Sequence, residues 1–309
     1  MKWNNKHVLI TGAAGFIGFN LVQKFVNLNA EIIAVDDFST GKPIEALSKM
    51  PIKIIRRNVS DSSCFEKVPK NIDFIFHFGA PSSIILFNKD PVLALSNTIC
   101  GLVNTFEFAK TVGAEKVIYP SSGSIYGTTP PPQSENSIPK PKNLYGITKL
   151  TCEKIADSNF GSVPSVGLRI FAGFGPGEEH KGEYASVITL FLNSMLKDES
   201  PVIFGDGTQN RDFVYIDDVI DAIIQSAERP ISNTVINVGT GKNLKFNEAV
   251  EIINRLLGKT IHPTYVPTPE KYLDYTLADT AKMHKLLGIS ARSAEEGIKE
   301  YLSHIGRFK

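Results

Sequence analysis

Tyr145-Gly146-Ile147-Thr148-Lys149 sets a phenol and an ammonium four residues apart. On a helix, positions i and i+4 share one face. A free tyrosine titrates near a pH of about 10 and is a poor base at neutrality. A neighbouring positive charge favours the phenolate, and reaching a pKa of about 7 asks for roughly 4 kcal/mol. Such a phenolate can take a proton from a substrate hydroxyl as hydride leaves the same carbon. Ser122, in Ser121-Ser122-Gly123-Ser124, can hydrogen-bond the same oxygen.

Hydride transfer needs an acceptor, and the first residues of the chain specify one. Val8-Leu9-Ile10 is a short apolar run of strand type, followed at once by Thr11-Gly12-Ala13-Ala14-Gly15-Phe16-Ile17-Gly18. An amphipathic stretch from Phe19 to Leu28 comes next, then Ile32 to Val35 and Asp36-Asp37. Strand, glycine turn, helix, strand and acid thus fall within one βαβ length. Gly12, Gly15 and Gly18 allow a tight turn, close approach to a pyrophosphate and close packing of helix on strand. The helix N-terminus adds amides and a positive dipole. Asp36 lies 18 residues past Gly18, where a carboxylate can accept both hydroxyls of an adenosine ribose. It would repel a 2′-phosphate, so NAD is expected rather than NADP. Asp37-Phe38-Ser39-Thr40-Gly41 would wrap the adenosine.

These groups must be held by a scaffold, and the rest of the chain spells one out. Ile52–Ile55, Ile72–Phe78, Lys116–Tyr119 and Ser165–Phe171 read as further strands, with helical patterns at Asp90–Thr111 and Asn143–Asn159. The alternation implies an α/β fold, a Rossmann doubly wound parallel sheet. Ligands in such sheets sit beyond the strand C-termini. The polar clusters at 36–41, 79–83, 121–124 and 172–176 all fall there. Residues 1–172 are therefore assigned to an NAD-binding domain and 173–309 to a smaller C-terminal substrate-binding lid, interleaved with the sheet. Within the lid, Ala185–Leu196, Asp217–Glu228, Phe246–Leu257, Asp279–Leu287 and Ser293–Ile305 read as helices, with Asp217 as an N-cap. Val202–Phe204 and Val235–Val238 read as strands, and Pro263–Pro269 as extended chain.

Bulk properties narrow the partners. The 309 residues carry 33 Lys+Arg against 32 Asp+Glu, so no electrostatic case exists for nucleic acid or a membrane surface. No contiguous apolar run approaches the ~18–20 residues of a membrane span. The N-terminus runs straight into the first strand without a signal-peptide pattern. Cys64, Cys100 and Cys152 are far apart, which suggests free thiols in a reducing cytoplasm. No histidine spacing suggests a metal. The helices near 92–111 and 144–159 carry apolar residues on more than one face, so a second face is expected to be covered by a partner.

The turn 12–18, Ser121-Ser122-Gly123-Ser124-Ile125-Tyr126-Gly127, Tyr145/Lys149 and Gly205-Asp206-Gly207-Thr208-Gln209-Asn210-Arg211-Asp212-Phe213-Val214-Tyr215-Ile216-Asp217-Asp218 together resemble the extended short-chain dehydrogenase/reductases. The likeness is to their nucleotide-sugar epimerase and dehydratase branch, and it covers nearly the whole chain. It implies tightly held NAD, a nucleotide-sugar substrate under the lid, and often a homodimer through a four-helix bundle. By position, Tyr145 resembles the catalytic base, Lys149 its partner and Ser122 the hydroxyl that holds the reacting oxygen. Cofactor contacts would come from the glycine turn with Phe16 and Ile17, from 36–41, from Asn58, Val59, Phe78, Gly79, Ala80, Ser82 and Phe171, and from Tyr145 and Lys149 themselves. The sugar nucleotide would meet Ser82, Ser122, Gly123, Ser124, Ala172, Lys181, Val187, Phe204, Arg211 and Tyr272.

The departures from the family pattern carry information. Asn58 replaces an aspartate that faces adenine, and its side-chain oxygen is expected to accept from the amino group. Ala172 replaces an asparagine near the sugar or diphosphate. Gly123-Ser124 stands where 4,6-dehydratases carry Asp-Glu, so dehydration lacks its general acid. Glu179-His180-Lys181-Gly182 and Lys271-Tyr272 are similar to ADP-glycero-manno-heptose 6-epimerases, in which a lysine matching Lys181 sits in the sugar pocket. Lys181 is otherwise a solvated loop residue. The loop at 37–41 and the 205–209 turn are of UDP-hexose 4-epimerase type. That 4-epimerase is the first expectation and the 6-epimerase the second. A non-catalytic dinucleotide-binding protein would have no need of both Tyr145 and Lys149.

Overall fold

The computed structural model describes residues 3–42, 44–268 and 275–307. The expected substrate contact Tyr272, with Lys271, lies outside the described residues. The chain opens with β1 (His7–Thr11), α1 (Phe16–Asn27), β2 (Glu31–Asp36), a short α2 (Ile44–Ser48), β3 (Lys53–Arg56) and β4 (Phe74–His77). It continues through α3 (Ile84–Lys89), α4 (Pro91–Val112), β5 (Lys116–Ser122), α5 (Leu144–Phe160) and β6 (Ser165–Ile170). Beyond these come β7 (Ala172–Phe174), α6 (Val187–Leu196), β8 (Val202–Phe204), β9 (Asn210–Arg211) and β10 (Phe213–Tyr215). The chain then runs through α7 (Ile216–Glu228), β11 (Thr234–Val238), β12 (Leu244–Lys245) and α8 (Phe246–Leu257) to β13 (Thr264–Val266), α9 (Ala281–Leu287) and α10 (Ala294–His304).

Seven strands form one sheet in the order β11-β6-β5-β4-β1-β2-β3, all paired in parallel. Period-2 alternation sends successive side chains to opposite faces, and both faces are covered. Val8, Ile10, Ile32, Ala34, Phe74 and Phe76 join one core with α1, α6, α7 and α8. Leu9, Ile33, Val35, Ile75 and Val117 join a second core with α4 and α5. Strands buried on both sides read as unbroken apolar runs for this reason. The chain goes from β1 outward to β2 and β3, then returns to β4 on the other side of β1. A crevice opens at that reversal, beyond the strand C-termini.

β11 and α7 follow residue 172 in sequence, yet β11 pairs with β6 at the edge of the main sheet. The remaining later strands make three two-stranded ribbons, β7–β10, β9–β12 and β8–β13. Four readings of the sequence require correction. Helix α1 begins at Phe16, directly after the glycine turn, rather than at Phe19. Helix α3 was not anticipated, because six residues are too few to show a helical period. Tyr215, not Asp217, is the N-cap of α7: β10 runs straight into the helix and places Asp217 and Asp218 in its first turn. Helix α4, with 22 residues and mean hydropathy 1.3, is long and apolar enough by length and composition to cross a membrane. Ser96, Asn97, Thr98 and Asn104 interrupt its sequence, so no contiguous run is visible. Ala94, Leu102, Phe106 and Ala109 are buried along it, and the last three pack in the second core.

Candidate active site

The crevice beside β1 is built by backbone. Gly12 adopts a left-handed conformation at φ +66°, and a Cβ there would run into the Phe78 carbonyl. A Cβ at Gly18 would strike the Gly12 carbonyl, so the helix can approach the turn only as glycine. Gly15 caps α1 without a side-chain hydrogen bond, leaving first-turn amides for an anion. Thr11 Oγ1 accepts the amides of Phe78 and Gly79 at 3.1 Å each, and its own hydroxyl lies 3.0 Å from His77 Nδ1. Asp36 accepts from the amides of Ala14 at 2.9 Å and Phe38 at 2.7 Å. Burial pushes the Asp36 carboxyl above its ordinary pKa, and the two amides oppose this.

A cleft of about 370 Å³ follows from this arrangement. Gly12, Gly15, Asp36, Asp37, Ser39, Thr40, Gly41, Asn58, Val59, Phe78, Gly79 and Ala80 line it, all expected from the sequence. Phe16, Ile17 and Gly18 lie in α1 behind the turn, and Phe38 packs against the core from a left-handed backbone at φ 60°. Arg57, Pro81, Leu86, Lys89, Asp90, Leu93, Ala94 and Asn97 also line the cleft and were not singled out. The signal for the last four was present, since 90, 93, 94 and 97 follow helical spacing. Asn58 requires a correction. Its Oδ1 accepts both the amide and the hydroxyl of Ser60 at 2.8 Å, while Nδ2 donates to Asp37 at 2.7 Å. With both oxygen lone pairs engaged, Asn58 offers a base an N–H rather than an acceptor.

The chemistry-bearing residues meet at the end of β5. Ser122 is the last residue of that strand rather than part of the loop, and its Oγ accepts from the Ser124 amide at 3.1 Å as a short 3-10 turn, Gly123–Ile125, begins. Asn143 caps α5 through Gly146, so the helix starts one residue before Tyr145. Ser122 is the neighbour that pulls the Tyr145 phenol down. Behind them, the Glu153 carboxylate holds Arg169 through two contacts of 2.8 Å and also accepts from Ser121. Lys149 lies on the same helical face, with Nζ 5.8 Å from the Tyr145 ring centroid and donating to the Pro120 carbonyl at 3.3 Å. Burial lowers the Lys149 ammonium and raises the Tyr145 phenol, with only Ser122 pulling the phenol back. The expected lowering of Tyr145 by Lys149 is corrected here: desolvation leads, and Lys149 is not among the groups that shift the phenol.

The expected sugar side is more dispersed. Phe171 follows β6 and covers Gly123, where a Cβ would meet its ring at 3.2 Å. Ala172 begins β7, Val187 begins α6, and Phe204 ends β8, 41% exposed. Ser82 is exposed just ahead of α3. Arg211 lies in β9 with its guanidinium 5.5 Å from the Phe246 ring centroid. Lys181 is not a free loop lysine: Nζ is 2.7 Å from the buried Glu178 carboxylate and 4.2 Å from the centroid of the Phe16 ring. Glu179 pairs with Lys42 at 3.0 Å, joining this loop to the segment that follows β2.

Four buried side-chain atoms among the described residues have no hydrogen-bond partner: Asn97 Oδ1, Asn143 Nδ2, His180 Nδ1 and Gln209 Oε1. Asn97 lines the cleft, Asn143 caps the helix of Tyr145, and His180 and Gln209 belong to the two lid segments described above. Unpartnered buried polar groups are costly, and none of these four was among the expected contacts. The dinucleotide fits the cleft on these grounds: glycine turn, open helix N-terminus, paired acids and the orphaned Asn97 oxygen.

Comparison with known proteins agrees with this geometry. A family model described as the NAD dependent epimerase/dehydratase family matches residues 8–239. The chain is 30% identical to a putative UDP-glucose 4-epimerase of Methanocaldococcus jannaschii, over 96% of this chain and 97% of the other. It is 31% identical to the solved UDP-N-acetylglucosamine 4-epimerase of Methanobrevibacter ruminantium, in complex with UDP-N-acetylmuramic acid, at a TM-score of 0.89 and covering 99% and 100% of the two chains. The ADP-L-glycero-D-manno-heptose-6-epimerase of Helicobacter pylori is 32% identical, with a TM-score of 0.88 over 99% and 98%.

Proposed function

Since the chain belongs to the NAD-dependent epimerase/dehydratase family, we propose that it inverts one carbon of a nucleotide-activated sugar, a UDP-hexose at C4. The observation that carries this is the buried Tyr145 with Lys149 Nζ 5.8 Å from its ring and Ser122 as its polar neighbour, next to a cleft suited to the dinucleotide. NAD, held by the glycine turn and Asp36, would supply the hydride acceptor and donor that let a sugar carbon be oxidised and then reduced on its other face. Tyr145 removes the hydroxyl proton in the first half and restores it in the second. Ser122 holds the reacting oxygen, and the Lys149 ammonium would stabilise the phenolate, together with the positive charge that an oxidised nicotinamide would supply. Asp36 favours ribose hydroxyls over a 2′-phosphate, and Arg211 would meet the diphosphate. The exposed Val92 of α4 and Ile147 of α5 favour pairing of two copies through these helices, which a monomeric mass in light scattering would exclude.

A second reading, the ADP-heptose 6-epimerase, has its own support in the segment 178–181 and the unpartnered His180 nitrogen. The engagement of Lys181 with Glu178 favours the first, because a lysine held by a buried carboxylate is not poised as a second acid. Product analysis on UDP-, dTDP-, GDP- and ADP-sugars separates the two. In the 4-epimerase reading Lys181→Met raises KM and leaves kcat within a fewfold. A loss of kcat of about 100-fold or more on an ADP-heptose would establish the second reading. A stoichiometric demand for added NADH would refute both in favour of a reductase.

A further inference from the structure

Tyr145 belongs to a small apolar cluster of its own, with Phe87 and Ala94 buried and Ile84 and Leu144 packed against them. Phe87 is 1% exposed, and its ring meets that of Tyr145 edge to face, 5.4 Å between centroids at 66°. The ring is carried by α3, which Ser83 caps through the Ile85 amide. Leu86 and Lys89 of the same helix line the cofactor cleft. One short helix therefore touches both the cofactor's space and the phenol. We propose that Phe87 is a positioning residue for Tyr145, fixing the plane of its ring and keeping water from the phenol, so that α3 links cofactor occupancy to the base. This rests on the proposed role of Tyr145.

The physical reason is specific. The backbone of α5 and χ1 set where the Tyr145 oxygen lies, but its neighbours set the ring plane, and conjugation keeps the phenolic O–H near that plane, so the plane aims the proton. A ring edge against a ring face is a directional contact that an aliphatic side chain does not reproduce. Removing Phe87 opens space into which the phenol can turn and water can enter. Because burial is the leading cause of the raised phenol, hydration should lower it.

The test compares Phe87→Ala and Phe87→Leu with the unmutated NAD-loaded protein. Absorbance titration of the phenol, with Tyr145→Phe subtracted, needs no sugar. In Phe87→Ala its midpoint should fall by about one pH unit. In turnover, kcat should drop about 10- to 100-fold with KM for the sugar nucleotide within about twofold. Phe87→Leu, which keeps the bulk without the ring, should return the midpoint but recover less than half of the lost kcat on a logarithmic scale. An unmoved midpoint in Phe87→Ala, or unchanged kcat, overturns the proposal. A shifted midpoint in a protein that epimerises no sugar nucleotide upholds Phe87 and rejects the epimerase reading instead.

Discussion

The two halves of the site are assembled by different means. The cofactor half is backbone from a short span: the Gly12 turn, the open N-terminus of α1, and Asp36 gathering the amides of Ala14 and Phe38. The part beyond β6 is held by side chains that bring distant segments together. Asp212 accepts from Thr240 N and Oγ1 at 2.7 Å each, Gly241 N at 3.0 Å and Ala278 N at 3.1 Å. Gln133 exchanges main-chain and side-chain bonds with Leu277. A backbone-built site tolerates variation in most side chains but not in its glycines. A site tied by buried carboxylates can change its substrate segments while keeping the ties.

This contrast can be broken at several points. Tyr145→Phe should show the largest effect, a kcat loss of about 100- to 10,000-fold with NAD affinity kept, since the base lies outside the backbone cradle. Loss of NAD binding would erase the distinction. Asp212→Asn turns an amino group toward donors and should cost about 1–3 kcal/mol in denaturant unfolding. It should also raise KM for the sugar nucleotide severalfold while NAD affinity stays within about twofold; equal losses of both affinities would show that the halves are not independent.

The pH dependence of stability examines the cofactor side alone. His77 is buried against Thr11 and Thr105, and its pKa is pushed down to about 3, chiefly by burial and then by the Lys149 charge. The unfolded chain takes up a proton near a pH of about 6.5 while the folded one stays neutral, so the unfolded state binds more protons between these values. Stability therefore falls as the pH drops below about 6.5, by about 2 kcal/mol at a pH of about 5. Comparing chemical denaturation of the unmutated protein and His77→Gln at both pH values checks this, and parallel losses would remove His77 as the cause. The smallest effect is expected from Asp36→Ala, which should narrow the gap between NAD and NADP affinities. Equal binding of the two by the unmutated protein would show that the acid does not face the ribose.

Much of this was open to reading because the informative interactions are short-range. Gly12, Gly15, Gly18, Asp36 and the i, i+4 pair Tyr145/Lys149 encode local geometry, and local geometry survives in one dimension as spacing. The sheet follows similarly, since strands buried on both faces must be unbroken apolar runs. Interactions across the chain left no such trace. Phe87 meets Tyr145 through a helix too short to show a period, Asn58 is turned by Ser60 and Asp37, and Lys181 is held by Glu178 against Phe16.

From the sequence alone came the glycine turn, the acid that follows it, the tyrosine with its serine and lysine, and the parallel sheet that carries them. The tertiary structure alone decided the protonation balance and the neighbours. Burial, a property of every surrounding element at once, raises Tyr145 and lowers Lys149 against what their spacing suggested. Spacing determines which groups share a face. Whether a charge on that face is stable depends on the solvent excluded by residues remote in sequence.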